Sequence, residues 1–219
     1  MYMSTTWCFL FSGSLSASTT SNVIDIGFIF GVLGFDSLEY FQWQLDFASR
    51  LLVSYTVSMD AVLPGAVVYG VENPKVDIRF GDVVTKDAAR RRFASLPVPT
   101  TEDMQFRILS ERIKSLFSFK NGARAGAKRT MVFFFDTRLD SQSYRNFANL
   151  FQTLFEAEVK IILIGVGGAD LKQLRTICIQ YGGVGFYANS LFELSGLMAQ
   201  VVGASTTGWF IIFYRQNFY

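Results

Sequence analysis

Asp136 closes the most apolar segment of the chain, residues 131–135. A carboxylate at a strand end can contact a ligand, or it can accept the N–H groups of the turn that follows. Asp36 poses a similar choice after the loop Gly31-Val32-Leu33-Gly34-Phe35. There Asp36-Ser37-Leu38-Glu39 reads as a capping box, which engages that carboxylate in starting a helix. Gly165-Val166-Gly167-Gly168 lacks the G-x-G-x-x-G spacing of a nucleotide loop, and Gly27, Gly31 and Gly34 are also wrongly spaced. The chain has no histidine, so the commonest general base and transition-metal ligand is missing. No Ser–His pair, G-x-S-x-G elbow or Walker loop occurs. The residues point to recognition; neither an enzyme nor a cofactor is expected.

Positioning these groups falls to elements that alternate along the chain. Ile24–Phe30 is a nearly continuous apolar run, as for a strand covered on both faces. Leu38, Phe41, Leu45, Ala48 and Leu52 then repeat at helical spacing. Residues 66–71 and 76–80 are short strands joined by Glu72-Asn73-Pro74-Lys75, which is turn chemistry, so a hairpin is expected. A basic helix over 85–94 ends before Pro97 and Pro99, and a helix over 102–117 carries the stripe Phe106, Leu109, Ile113 and Leu116. Strand 131–135 belongs at the sheet centre. Helices marked by Tyr144, Phe147, Phe151, Leu154 and by Leu171, Leu174, Ile177, Tyr181 flank a strand over 159–164. The second of these ends on Gly182-Gly183, which suit a left-handed cap. Val184–Ala188 is the last strand, and Ser190-Leu191-Phe192-Glu193 is a second capping box before a helix over 191–201.

This order predicts an α/β fold: a doubly wound, mostly parallel six-stranded sheet with one antiparallel edge strand and helices on both faces. The functional crevice of such a sheet lies at the carboxyl ends of the strands. Here those ends are loop 31–36, Thr100-Thr101 and loop 136–140. Phe35 and Asp36, with Thr100, Asp136 and Arg138, are therefore the candidate ligand-binding residues. Phe35 is the aromatic anchor, because aromatic side chains dominate interface hot spots, and Thr100, Asp136 and Arg138 form a polar rim.

Half the residues are hydrophobic and the net charge is only +2, so nucleic acid is not an expected partner. Arg90-Arg91-Arg92, and Lys128-Arg129 with Arg124, could hold an acidic surface, but a solvated helix face and loop explain them more simply. No apolar run is long enough to span a membrane. Residues 1–21 carry a short apolar stretch and a Ser/Thr-rich segment, a weak pattern for a signal peptide or a linker. Cys8 and Cys178 form no C-x-x-C pair, so zinc and thioredoxin chemistry are unsupported. Residues 204–219 form an apolar, aromatic tail that either adds a strand or stays exposed, where it could self-associate.

Several segments in order resemble the von Willebrand factor type A domain: Asp25-Ile26-Gly27-Phe28-Ile29-Phe30, Ala66-Val67-Val68-Tyr69-Gly70, Ile164-Gly165-Val166-Gly167-Gly168-Ala169-Asp170, and Phe186-Tyr187 with Phe192-Glu193-Leu194. The resemblance covers residues 22–203, and its style is nearest to extracellular matrix members such as those of type VI collagen. It implies a metal-ion-dependent adhesion site built from D-x-S-x-S after the first strand, a Thr, and an Asp after the fourth strand. The first Asp position falls on Gly31 and the Ser positions on Leu33 and Phe35, none of which has a side-chain oxygen. The Thr matches Thr100, with Thr101 as the register alternative, and the last Asp is Asp136. Magnesium needs hard oxygen ligands, so the expected site is degenerate and holds no metal. Phe35 could also fold over that position. The resemblance further implies a possible Cys8–Cys178 disulfide, with a buried thiol at Cys178 as the plain alternative. The function so implied is a non-catalytic, metal-independent adhesion module that binds another protein, a matrix or cell-surface component, outside the cell. The alternative is a structural scaffold, extracellular or cytoplasmic.

Overall fold

The structure, a computed structural model, describes residues 23–32, 38–71, 76–100, 106–190, 193–206 and 213–215. One sheet contains β1 (Ile24–Phe30), β2 (Val62–Val68), β3 (Lys128–Phe135), β4 (Val159–Val166), β5 (Val184–Ala188) and β6 (Phe213–Arg215), in the order β2-β1-β3-β4-β5-β6. Every neighbouring pair is parallel. The helices are α1 (Leu38–Val53), α2 (Lys86–Ala94), α3 (Phe106–Leu116), α4 (Ser141–Glu156), α5 (Leu171–Tyr181) and α6 (Met198–Thr206).

Alternating strand residues feed two cores. Ile26, Phe28, Phe30, Val132, Phe134, Ile162 and Ile164 pack with α1, α2 and α6 on one face. Ile29, Met131, Phe133, Phe135, Ile161 and Leu163 pack with α3, α4 and α5 on the other. The apolar strand runs are explained by this double cover. The helical stripes fall inward as expected, except that Leu38 is exposed in the first turn of α1. Gly182 caps α5 in the left-handed region, and Ser190 Oγ accepts the Glu193 N–H at 3.4 Å. The last helix is interrupted: a 3₁₀ turn, Glu193–Leu197, precedes α6.

The antiparallel edge strand expected over residues 76–80 does not form. Ile78 makes a single antiparallel bridge to Ala66. Next to it the Val68 N–H donates to the Asp77 carboxylate at 2.7 Å, so a side chain takes the place of a ladder carbonyl. The sixth strand comes instead from the tail, as β6. The second strand also begins earlier than expected, at Val62, and runs through Pro64. Only β1 pairs with β2 as a full ladder, so the missing Pro64 N–H faces an open edge and costs no ladder bond.

Arg124, expected as a solvated loop charge, is instead bound at the amino end of the sheet. Its Nε donates to Asp25 Oδ1 at 2.8 Å, and its guanidinium reaches the carbonyls of Ile24, Met59 and Ala61. Asp25 is fully buried, so a charge-assisted partner is what makes its burial tolerable. No helix among the described residues is long and apolar enough to cross a membrane.

Cys178 is a free, buried thiol, and Cys8 lies outside the described residues. Burial pushes the Cys178 thiol up from 9.0 to about 12. Burial likewise pushes Tyr55, bonded to Ser205 of α6, from 10.0 to about 12. Both folded values lie above the unfolded ones, so the stability these groups contribute is complete below their unfolded values and is lost as pH rises toward about 12. Urea unfolding between about pH 8 and about pH 11 should therefore show falling stability, with a shallower fall in Cys178→Ala. Equal slopes for the two proteins would remove Cys178 from this account.

Candidate functional site

The strand order turns between β1 and β3, where the connections leave in opposite directions and a crevice opens at the carboxyl ends. Gly31 follows β1 there, and Asp136 follows β3. Asp136 is buried, 2 % exposed. Two phenols lie close enough to feel its charge. Tyr40 comes from the first turn of α1, and burial, then Asp136, holds its hydroxyl well above the ordinary 10.0. Tyr69 follows β2, and burial, then Tyr40 and Asp136, raises it likewise. Both phenols keep their protons.

Gln44, one turn beyond Tyr40 and fully buried, clamps Gly31. The Gly31 N–H donates to Gln44 Oε1 at 2.9 Å, and Gln44 Nε2 donates to the Gly31 carbonyl at 2.6 Å. The loop after β3 is held the same way. Gln173 Oε1 accepts the Leu139 N–H at 3.0 Å, and its Nε2 donates to the Leu139 carbonyl at 2.8 Å. The loop after β4 closes over Asp136 because residue 168 is glycine: a Cβ there would stand 2.8 Å from the Asp136 carbonyl oxygen.

The space beside Gly31 is filled. A Cβ at Gly31 would overlap the Tyr69 ring, so the ring occupies the volume into which a side chain at residue 31 would project. The Tyr69 N–H extends the β1–β2 ladder by donating to the Phe30 carbonyl at 2.9 Å, which sets the ring's position. Its hydroxyl has no hydrogen-bond partner among the described residues.

A hard dication needs several oxygen ligands, and magnesium keeps waters as well. Here Asp136 is one carboxylate beside two protonated phenols and a glutamine whose amide is occupied. Among the described residues no three His, Cys, Asp or Glu side chains are grouped to hold an ion. Among the described residues, the donor set does not fit a hard dication.

Of the expected site residues, Thr100, Asp136 and Arg138 are described. Thr100 is exposed, and its amide and hydroxyl both donate to the Gly70 carbonyl, at 2.8 and 3.4 Å. Arg138 is exposed and stands 3.4 Å from the Asp170 carboxylate at the start of α5. Phe35, and Asp36 and Ser37 of the capping box, lie outside the described residues, as does Thr101. Tyr40, Gln44 and Tyr69 were missed from sequence. Gln44 did carry a signal: it is a polar residue within the apolar stripe of Phe41, Leu45 and Ala48.

The family profile of the von Willebrand factor type A domain matches residues 36–200. Solved structures with the same fold include proximal thread matrix protein 1 from the mussel byssus, 20% identical, with a TM-score of 0.69 over 84% of this chain and 48% of that one. A second structure of that protein has a zinc-occupied MIDAS motif, with 20% identity, a TM-score of 0.67 and the same coverages. Manganese-loaded TRAP from Plasmodium vivax is 16% identical, with a TM-score of 0.63 over 84% of this chain and 74% of that one. The chain spans about half the length of the mussel protein (48%). No curated protein matches the chain.

Proposed function

Because the chain belongs to the von Willebrand factor type A family, whose domains are generally interaction modules, we propose that it is a non-catalytic module that recognises another protein through its strand-end face without a cation. The observation that carries this reading is the Tyr69 ring in the space beside Gly31. In this reading a ligand carboxylate has no ion to coordinate, so recognition rests on shape, on apolar contact from Phe35, and on the rim of Thr100, Asp136 and Arg138, with Asp36 beside Phe35. The loops that carry this face are held by Gln44 and Gln173, which supports a preformed surface.

An extracellular matrix setting is part of the proposal, supported by the mussel byssus matrix protein among the structural relatives. The alternative is a scaffold that assembles through the tail. One observation favours it: β6 is the edge strand of the sheet, and an open edge can pair with another chain.

Thermal unfolding tests the metal-free reading directly. A ligand present at 100 times its Kd adds about 2.7 kcal/mol to the folded state, enough to raise Tm by several degrees. Saturating magnesium or manganese should give the same Tm as EDTA. A clear rise with either ion would overturn the reading.

A further inference from the structure

A second feature lies on the face of the sheet covered by α4 and α5. Between the first turns of these helices is an open cleft of about 450 Å³. Its lining carries three cations, Arg138, Arg145 and Lys172, and a single carboxylate, Asp170. Asp170 is largely engaged. Its Oδ1 caps α5 by accepting the N–H groups of Lys172 and Gln173 at 2.8 and 3.1 Å, and its Oδ2 faces Arg138. The Arg145 guanidinium donates to Gln142 Oε1 at 3.0 Å, and neither Arg145 nor Lys172 has a carboxylate partner among the described residues. Asp140, at the start of α4, turns its oxygens into its own helix by accepting from Gln142, Ser143 N–H and Ser143 Oγ. The cleft therefore holds two positive charges that the fold does not neutralise, in a chain whose whole net charge is +2.

We propose that this cleft binds an acidic peptide segment of a partner protein, with Arg145 and Lys172 taking neighbouring carboxylates. A guanidinium fork matches a carboxylate with two parallel hydrogen bonds, and an ammonium serves as a point charge beside it. Tyr144 and Thr176 line the same wall, so a side chain between two acids meets a ring and a hydroxyl. A sulfated polysaccharide fits less well. Such a chain needs a continuous basic track, but Arg90-Arg91-Arg92 sits on α2, which packs on the opposite face of the sheet, and Lys128-Arg129 starts β3 at the far end of the sheet. Arg138 links the cleft to the strand-end face, so one partner could engage both. The cleft's charge does not depend on whether a cation binds at that face.

The test uses fluorescence anisotropy with a short labelled oligoglutamate peptide, an oligoglutamine peptide and a heparin fragment of matched charge, in EDTA and again in magnesium. Oligoglutamate should bind saturably, and more tightly than the other two. Arg145→Glu with Lys172→Glu should weaken it about tenfold or more, whereas Arg90→Glu with Arg91→Glu, equal in charge change, should leave it within about twofold. In the unsubstituted protein, oligoglutamate should also shield Lys172 from acetylation, which reads the site without any variant. Equal losses in both double variants, tighter binding of heparin, absence of saturable binding, or an unshielded Lys172 would each overturn the proposal. Failure of the metal-free reading would look different: binding at the strand-end face would require magnesium, with oligoglutamate binding at the cleft unchanged.

Discussion

Replacing Asp77 with alanine should lower the free energy of unfolding by about 3–5 kcal/mol, because it breaks a buried ion pair from one side. The side chains of Asp77 and Arg112 are each 4 % exposed and meet at 2.5 Å. Burial raises the Asp77 carboxyl and lowers the Arg112 guanidinium from their ordinary values, with the mutual attraction opposing both shifts. Desolvation is thus the larger effect on each group, and removal of one partner leaves the other's desolvation without its compensation. Two contacts go at once: the Val68 N–H loses its acceptor, and Arg112 loses its counter-charge while still donating to the Val68 carbonyl. Urea unfolding measures the loss. Asp77→Asn, which keeps an oxygen for Val68, should cost less than alanine. Asp77→Leu combined with Arg112→Met should cost far less than the two single changes summed, since no buried charge remains. A loss under about 1 kcal/mol for Asp77→Ala would mean that the pair behaves like an exposed one. The pair matters to the site as well. It pins Val68, and the next residue is Tyr69.

That pair was not legible in the sequence, and the reason is physical. Turn chemistry around Pro74 and the apolar residues Val76, Ile78 and Phe80 do suggest a strand. What defeats it is Asp77, whose carboxylate reaches Val68 from one side and Arg112 of α3 from the other. Arg112 lies 35 residues away, and no local pattern marks that meeting. Arg124 misled in the same manner: its partner Asp25 is 99 residues distant, so it read as an ordinary loop charge. By contrast the central strands, α4 and α5 were legible because their signals are local. Doubly covered strands must be apolar throughout, helical stripes repeat every three or four residues, and Gly182 marks the end of α5.

The site divides along the same line. Oxygen ligands missing at position 31 could be read from a glycine. What fills the vacated volume could not, because Tyr69 arrives from the neighbouring strand and Tyr40 and Gln44 from the helix after the loop. Parallel pairing brings them together: Phe30 stands opposite Val68, so the residues just beyond each strand converge. Topology also gives Arg138 a second neighbourhood besides the strand-end face. The loop after β3 carries it to the N-terminus of α5, where it pairs with Asp170 and borders the α4–α5 cleft.

Gly31→Asp should destabilise the domain by about 3 kcal/mol or more while gaining no response to manganese. In sequence terms this change restores the first ligand of the family's cation site. In three dimensions its Cβ overlaps the Tyr69 ring, and its carboxylate enters a buried space beside Asp136. Overpacking alone costs about 1–3 kcal/mol, and burying a second carboxylate close to Asp136 adds to that. Alanine at the same position removes the charge and leaves the clash together with the strain of a side chain at the positive φ of Gly31. Its cost should shrink when Tyr69 is leucine, since the ring is what the added methyl meets; an unchanged cost would show that backbone conformation, not Tyr69, is the obstacle. If Gly31→Asp instead folded with little loss and gained several degrees of Tm in manganese, the volume beside Asp136 would still be able to open for an ion, and the ring would be a lid rather than a plug. The Gln44 clamp argues for the plug. It holds the Gly31 peptide from both its N–H and its carbonyl, so the backbone has no spare freedom with which to move a new side chain away from the ring.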